Sequence, residues 1–114
     1  MEIVSLSREY WEKWNQFCIQ SDDAWFWHTT WWLEYSLEHK PELLGKSKSF
    51  FITDGSRILA ICPLIVEEHE HQGIGHKEFS CSGSYGIAPA TSNELSEKGR
   101  RAILRLLFDH IDSL

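Results

Sequence analysis

The stretch from Ser49 to Glu70, "SFFITDGSRILAICPLIVEEHE", decides the fold. "SFFIT" (49–53) is aromatic and β-branched and reads as a short strand. Asp54 and Gly55 follow, a dipeptide suited to the positive φ of a hairpin turn. Arg57 to Glu70 reads as one long second strand. Pro63 lies inside it with no amide hydrogen to give a ladder, which marks an edge or a bulge. "QGIG" (72–75) turns the chain again. "KEFSCS" (77–82) is a third strand, with Phe79 and Cys81 alternating against Glu78 and Ser80. The expectation is a three-stranded antiparallel meander over residues 50–82.

Outward from this core the period changes from two residues to between three and four. Residues 7–20 read as a helix with Ser7 as N-cap and Glu9 in the first turn, where a carboxylate suits the helix dipole. Tyr10, Trp14, Phe17 and Cys18 form its apolar stripe, and "SDD" (21–23) breaks it. A second helix opens at Thr29 or Thr30 and stops before Pro41. Trp32, Tyr35, Ser36 and His39 share its inner face, with Trp31 beside them, so Trp32 is expected to be deeply buried. Trp25 and Trp27 precede the cap on a common side, where one of them stands partly exposed at a groove edge. After the small-residue loop "GSYGIAPATSN" (83–93), Thr91 and Glu94 have capping-box spacing for a last helix. Its stripe runs through Leu95, Gly99, Ala102, Ile103, Leu106, Leu107, His110, Ile111 and Leu114. The fold class is α+β, in the order α-α-β-β-β-α, with helices covering the meander.

The chain has 114 residues, the size of a single domain spanning 1–114. Net charge is −6, and residues 21–39 hold Asp22, Asp23, Glu34 and Glu38 but no Lys or Arg. That argues against DNA or RNA as partner, since a phosphate backbone needs a basic footprint and even aromatic single-strand binders use a positive groove. Cys18, Cys62 and Cys81 are odd in number and lack CxxC spacing, so reduced, buried thiols and a cytoplasmic address are expected. "MEIVSLSREY" has neither the basic start nor the apolar run of a signal peptide. No apolar run is long enough to span a membrane.

Four stretches, in this order, carry a resemblance: "YWEKWNQFC" (10–18), "WHTTWWLEY" (27–35), "FFITDGSRILAICPL" (50–64) and "SCSGSYGIAP" (80–89). Together they resemble the N-terminal half of the GNAT-like acyltransferases, in particular the FemAB-like and BioF2-like branch. The second resembles that family's aromatic entry to its second helix, the third its strand–DG–strand hairpin ending in A-x-x-P-L, and the fourth its small-residue loop before a long helix. The resemblance implies half of a GNAT-like fold and transfer of an acyl or aminoacyl group to an amine on a small molecule or peptide. It implies acyl-CoA or aminoacyl-tRNA as donor for the complete domain, with none bound by this chain alone. The family's donor loop, Q/R-x-x-G-x-G/A before a helix, is matched only by Gln72 and Gly75. Lys77 stands where a small residue is needed, and a strand follows. A C-terminal half or a partner chain completing the sheet is therefore expected, and the chain alone is expected to be inactive. The alternative is a non-catalytic interaction module of the same fold that binds a partner through its aromatic face.

The resemblance places acceptor recognition between the first two helices, which makes Trp25, Trp27 and Trp31 the candidate wall of an acceptor pocket, and Trp25, Trp27 and His28 are nominated as substrate-binding residues. The small-residue loop adds Tyr85 and Gly86. No catalytic residue is assigned: Cys81 as nucleophile would need a base, and the nearest in sequence are only His76 and Tyr85. Glu67, His69 and His71 alternate on one strand face and could ligate zinc or iron. No third segment closes such a site, so the stretch reads as a solvated hairpin tip and no metal is assigned.

Overall fold

Asp54 and Gly55 turn the chain where the sequence places the turn. The computed structural model describes residues 1–39, 46–71, 73–80 and 89–114. Along them run β1 (Glu2–Ser5), a 3-10 turn (Arg8–Tyr10) leading into α1 (Trp11–Gln20), a second 3-10 turn (Phe26–His28), α2 (Thr30–His39), β2 (Lys46–Ser47), β3 (Phe50–Thr53), β4 (Ile58–Cys62), β5 (Ile65–His71), β6 (Ile74–Ser80), β7 (Ala90–Thr91) and α3 (Glu97–Asp112). Gly55 has φ of +100°, which a residue without Cβ adopts freely. The Asp54 carboxylate accepts from the amides of Ser56 and Arg57 at 2.9 and 3.1 Å. Those two amides hold its carboxyl well below the usual carboxylate range.

The α+β class holds, but the three-stranded meander gives way to two sheets. An antiparallel sheet has the order β1-β3-β4-β7, and a second has β2-β5-β6. The run from Arg57 to Glu70 is two strands, broken at Pro63 and Leu64. The register nevertheless continues across the break. Ser47 pairs with Ile65 and Phe50 with Cys62, so Lys48 and Ser49 come opposite Leu64 and Pro63. The Ser49 carbonyl faces β1 and accepts the Leu6 amide at 2.9 Å. The Leu64 amide donates to Ser49 Oγ at 2.9 Å, and the Leu64 carbonyl accepts the Lys48 amide at 2.8 Å. One long hairpin thus changes sheet beside a proline, and there a buried serine hydroxyl takes the Leu64 amide in place of a ladder carbonyl.

Both faces of the β3–β4 hairpin are apolar because both are covered. Phe50, Ile52, Ala60 and Cys62 pack with Ile103, Leu107 and Ile111 of α3. Phe51 and Ile61, the alternate residues, pack with Trp14, Phe17 and Cys18 of α1. The stripe of α1 is the expected one, with Tyr10 at its edge 5.1 Å from the Phe51 ring. On α3 the buried line is Ile103, Leu107 and Ile111, while Ala102 and Leu114 are exposed.

Two caps and one helix phase differ from expectation. Ser96, not Thr91, caps α3: its Oγ accepts the Gly99 amide at 3.0 Å, and Thr91 belongs to β7. Thr29 opens α2, accepting weakly from the Trp32 amide at 3.5 Å. Trp32 is half-buried rather than deeply buried; Thr30 and Leu33 face inward. Asn15 of α1 sets this phase. Its amide group donates to Thr30 Oγ1 at 2.8 Å and accepts from the Thr30 amide at 3.0 Å. With Thr30 turned to α1, Trp31 falls on the outside. Pro41, expected to stop α2, lies outside the described residues, as do the side chains of Ser36 and His39.

Trp14, fully buried, fills the place expected of Trp32. Trp14→Ala is expected to cost roughly 3–5 kcal/mol, as for a large aromatic removed from a core. Trp31→Ala, at an exposed site, should stay within about 0.5 kcal/mol. Ser49→Ala leaves the Leu64 amide without its acceptor and should cost about 1–3 kcal/mol. Denaturant unfolding of the three variants checks these values.

Candidate functional site

The connection between α1 and α2 begins as a latch. Ser21 ends α1, and its hydroxyl donates to the Thr91 carbonyl at 2.6 Å. Asp23 Oδ2 accepts from the Thr91 amide at 3.1 Å and the Thr91 hydroxyl at 2.6 Å. The Arg100 guanidinium lies 3.5 Å from the same oxygen. Burial opposes ionisation of Asp23, but the Thr91 hydrogen bonds and the Arg100 charge outweigh it and lower its pKa. Asn93 closes the seam, accepting from the Asp22 amide at 2.9 Å and donating to the Gln20 carbonyl at 2.7 Å. The "SDD" helix breaker is therefore the joint between α1, β7 and α3.

Beyond the latch the chain makes the 3-10 turn that carries the nominated Trp27 and His28, with Trp25 at its N-cap. His28 is 2% exposed, and its Nδ1 accepts from the Trp25 amide at 2.8 Å. An Nδ1 that accepts carries no proton, so the neutral ring has its hydrogen on Nε2. The His28 carbonyl takes the Trp14 indole N–H at 2.6 Å. His28 thus ties the turn to α1. Trp25 is 63% exposed and Phe26 60%. The side chain of Trp27 lies outside the described set, and so do Tyr85, Gly86 and Cys81.

α2 extends this aromatic surface. Trp31 and Tyr35 are 57% and 53% exposed. Trp32 sits between the two elements, its ring centroid 6.0 Å from Phe26 and 5.4 Å from Tyr35. Its indole N–H is buried and has no hydrogen-bond partner among the described residues. Trp25 was legible as an exposed aromatic. Phe26, Trp31 and Tyr35 were not: a helical wheel cannot see the Asn15–Thr30 bracket that turns α2.

A cleft of about 650 Å³ lies elsewhere, between α1, β1 and the β3–β4 turn, with Lys13, Gln16, Arg57 and Asn93 in its wall. None of Trp25, Phe26, Trp31 and Tyr35 lines it. Of its two cations, Lys13 and Arg57, Arg57 is already engaged by Asp54 and Glu94. Cys18 and Cys62 are buried and reduced, and burial pushes the Cys18 thiol up to about 12. Cys18 is therefore no nucleophile at neutral pH. Among the described residues no helix is long and apolar enough to cross a membrane.

Comparison with family models, with curated proteins and with solved structures finds no match.

Thr91→Val removes the hydroxyl that holds Asp23 and is expected to cost about 1 kcal/mol at neutral pH, little because solvent reaches the carboxylate. The pKa of Asp23 is lowered from 3.8 by folding. Its contribution is therefore complete above that value and lost as pH falls through the lower, folded value. Unfolding curves of wild type and Thr91→Val should converge in acid.

Proposed function

We propose that this chain is the acceptor-side portion of a GNAT-like, FemAB-like acyltransferase domain that moves an acyl or aminoacyl group to an amine. The observation that carries the reading is the exposed aromatic surface of Trp25, Phe26, Trp31 and Tyr35 around the connection between the first two helices. The resemblance assigns acceptor recognition to that connection. The local chemistry fits an amine: aromatic faces attract ammonium groups, and residues 21–39 carry four carboxylates and no cation. The role of the rest of such a domain would be to supply the donor loop, with backbone donors for the oxyanion.

The second reading, a non-catalytic module that docks a partner, is favoured by one observation. The aromatic surface is not the wall of the described cleft, so it offers area rather than enclosure.

Titration of the chain with small primary amines and lysine-containing peptides, followed by the indole N–H resonances, tests the first reading. Amines are expected to move the Trp25 and Trp31 signals, and Trp25→Ser/Trp31→Ser should abolish the response without lowering the melting temperature. No movement with any amine would overturn acceptor recognition and leave the docking module. Calorimetric titration with acetyl-CoA is expected to show no saturable binding, since the donor loop is missing from this sequence.

A further inference from the structure

We propose that the β5–β6 ribbon binds a divalent transition-metal ion of the zinc class on the face where its register brings His69, His71 and His76 together with Glu67 and Glu78. The two strands are antiparallel, with Glu67 opposite Glu78, His69 opposite His76 and His71 opposite Ile74. Directly opposed residues of an antiparallel pair lie on the same face, and so do residues two apart along one strand. Three imidazole-bearing residues and two carboxylate-bearing ones therefore occupy one face of one short ribbon. The other face holds Val66, Glu68 and Glu70 opposite Phe79, Lys77 and Gly75, with no histidine.

The spacing suits a single ion. Opposed residues have Cβ atoms about 4.5–5.5 Å apart, and residues two apart on a strand lie about 6.5–7 Å apart at Cα. Imidazoles at such positions can converge on one ion at Zn–N distances of about 2.0–2.1 Å. Imidazole donors select zinc, copper or nickel over the oxygen-seeking magnesium and calcium. The H-x-H spacing alone supplies two ligands. The third comes from the partner strand, through the turn at Gly73, whose φ is +79°. A second feature points to a cation. Glu67 and Glu78 stand directly opposite each other, a like-charge pair that destabilises a ladder and that a bound cation would neutralise.

The tag-free chain, titrated with Zn²⁺ by calorimetry and with Co²⁺ by visible absorption, tests the site. One saturable site is expected, with no thiolate-to-metal band. His69→Ala and His76→Ala should each weaken it by at least about tenfold, since even outer-shell partners of metal ligands contribute that much. Glu68→Gln and Glu70→Gln, on the opposite face, should leave it unchanged. In the unsubstituted protein, Co²⁺ should shift the ring resonances of His69, His71 and His76 and spare those of His28 and His110, a readout that needs no variant to fold. Absence of saturable binding at micromolar metal, undiminished affinity in a His69→Ala/His76→Ala variant, or a thiolate band would each overturn the proposal.

Discussion

Pro63 has no amide hydrogen, and it stands in the middle of the longest β pairing in the chain. Everything on one side of it belongs to a sheet buried on both faces; everything on the other belongs to a ribbon rich in charge. The register passes through without a slip, so the proline does not misalign the strands. It can donate no backbone bond, and beside it the pairing parts into two sheets. Ser49 makes this affordable. Its buried hydroxyl takes the Leu64 amide, and its carbonyl takes the Leu6 amide from the continuation of β1. An unpaired buried amide would cost about 1–3 kcal/mol, a sizeable share of the stability of a domain this small.

On the buried side the order of events follows from the sheet. Phe50–Ile52 and Ala60–Cys62 send alternate side chains to opposite faces, and each face needs a helix. α3 answers with Ile103, Leu107 and Ile111, and α1 with Trp14, Phe17 and Cys18. The rotation of α2 is tied to α1 by polar bonds. Asn15 brackets Thr30, and Trp14 reaches the His28 carbonyl. Such bonds are directional where the hydrophobic effect is not, so they choose the phase. Their choice puts Leu33 inside and leaves Trp31 and Tyr35 to solvent.

What the sequence makes legible is what depends on local period. The DG turn, the stripe of α1, the buried line of α3 and the β5–β6 hairpin could all be read from spacing. β1 and β7 could not. Four residues and two residues carry no period, and they are strands only because Phe50–Thr53 and Ala60–Ile61 offer them edges. The Thr91–Glu94 pattern misled because Thr91 is committed to Asp23 across the fold, which leaves Ser96 to cap α3. The sheet change at Pro63 was half legible: the missing donor was visible, but the hydroxyl acceptor that Ser49, fourteen positions upstream, offers to the Leu64 amide was not. The ribbon histidines show the same limit. His69 and His71 are neighbours by spacing, whereas His76 joins them only once the register is known.

The aromatic surface is where these constraints leave a residue of unsatisfied chemistry. Trp25, Phe26, Trp31 and Tyr35 are each more than half exposed, which is costly apolar surface to leave in water. Trp32 sharpens the point. Packing against Phe26 and Tyr35 accounts for its ring, yet its buried N–H has no acceptor among the described residues. Rotating α2 to bury Trp32 fully would break the Asn15–Thr30 bracket and bring Leu33 out, so the fold keeps the defect rather than the better-packed alternative. The polar bracket that orients α2 therefore also decides which aromatic rings of α2 stay in water.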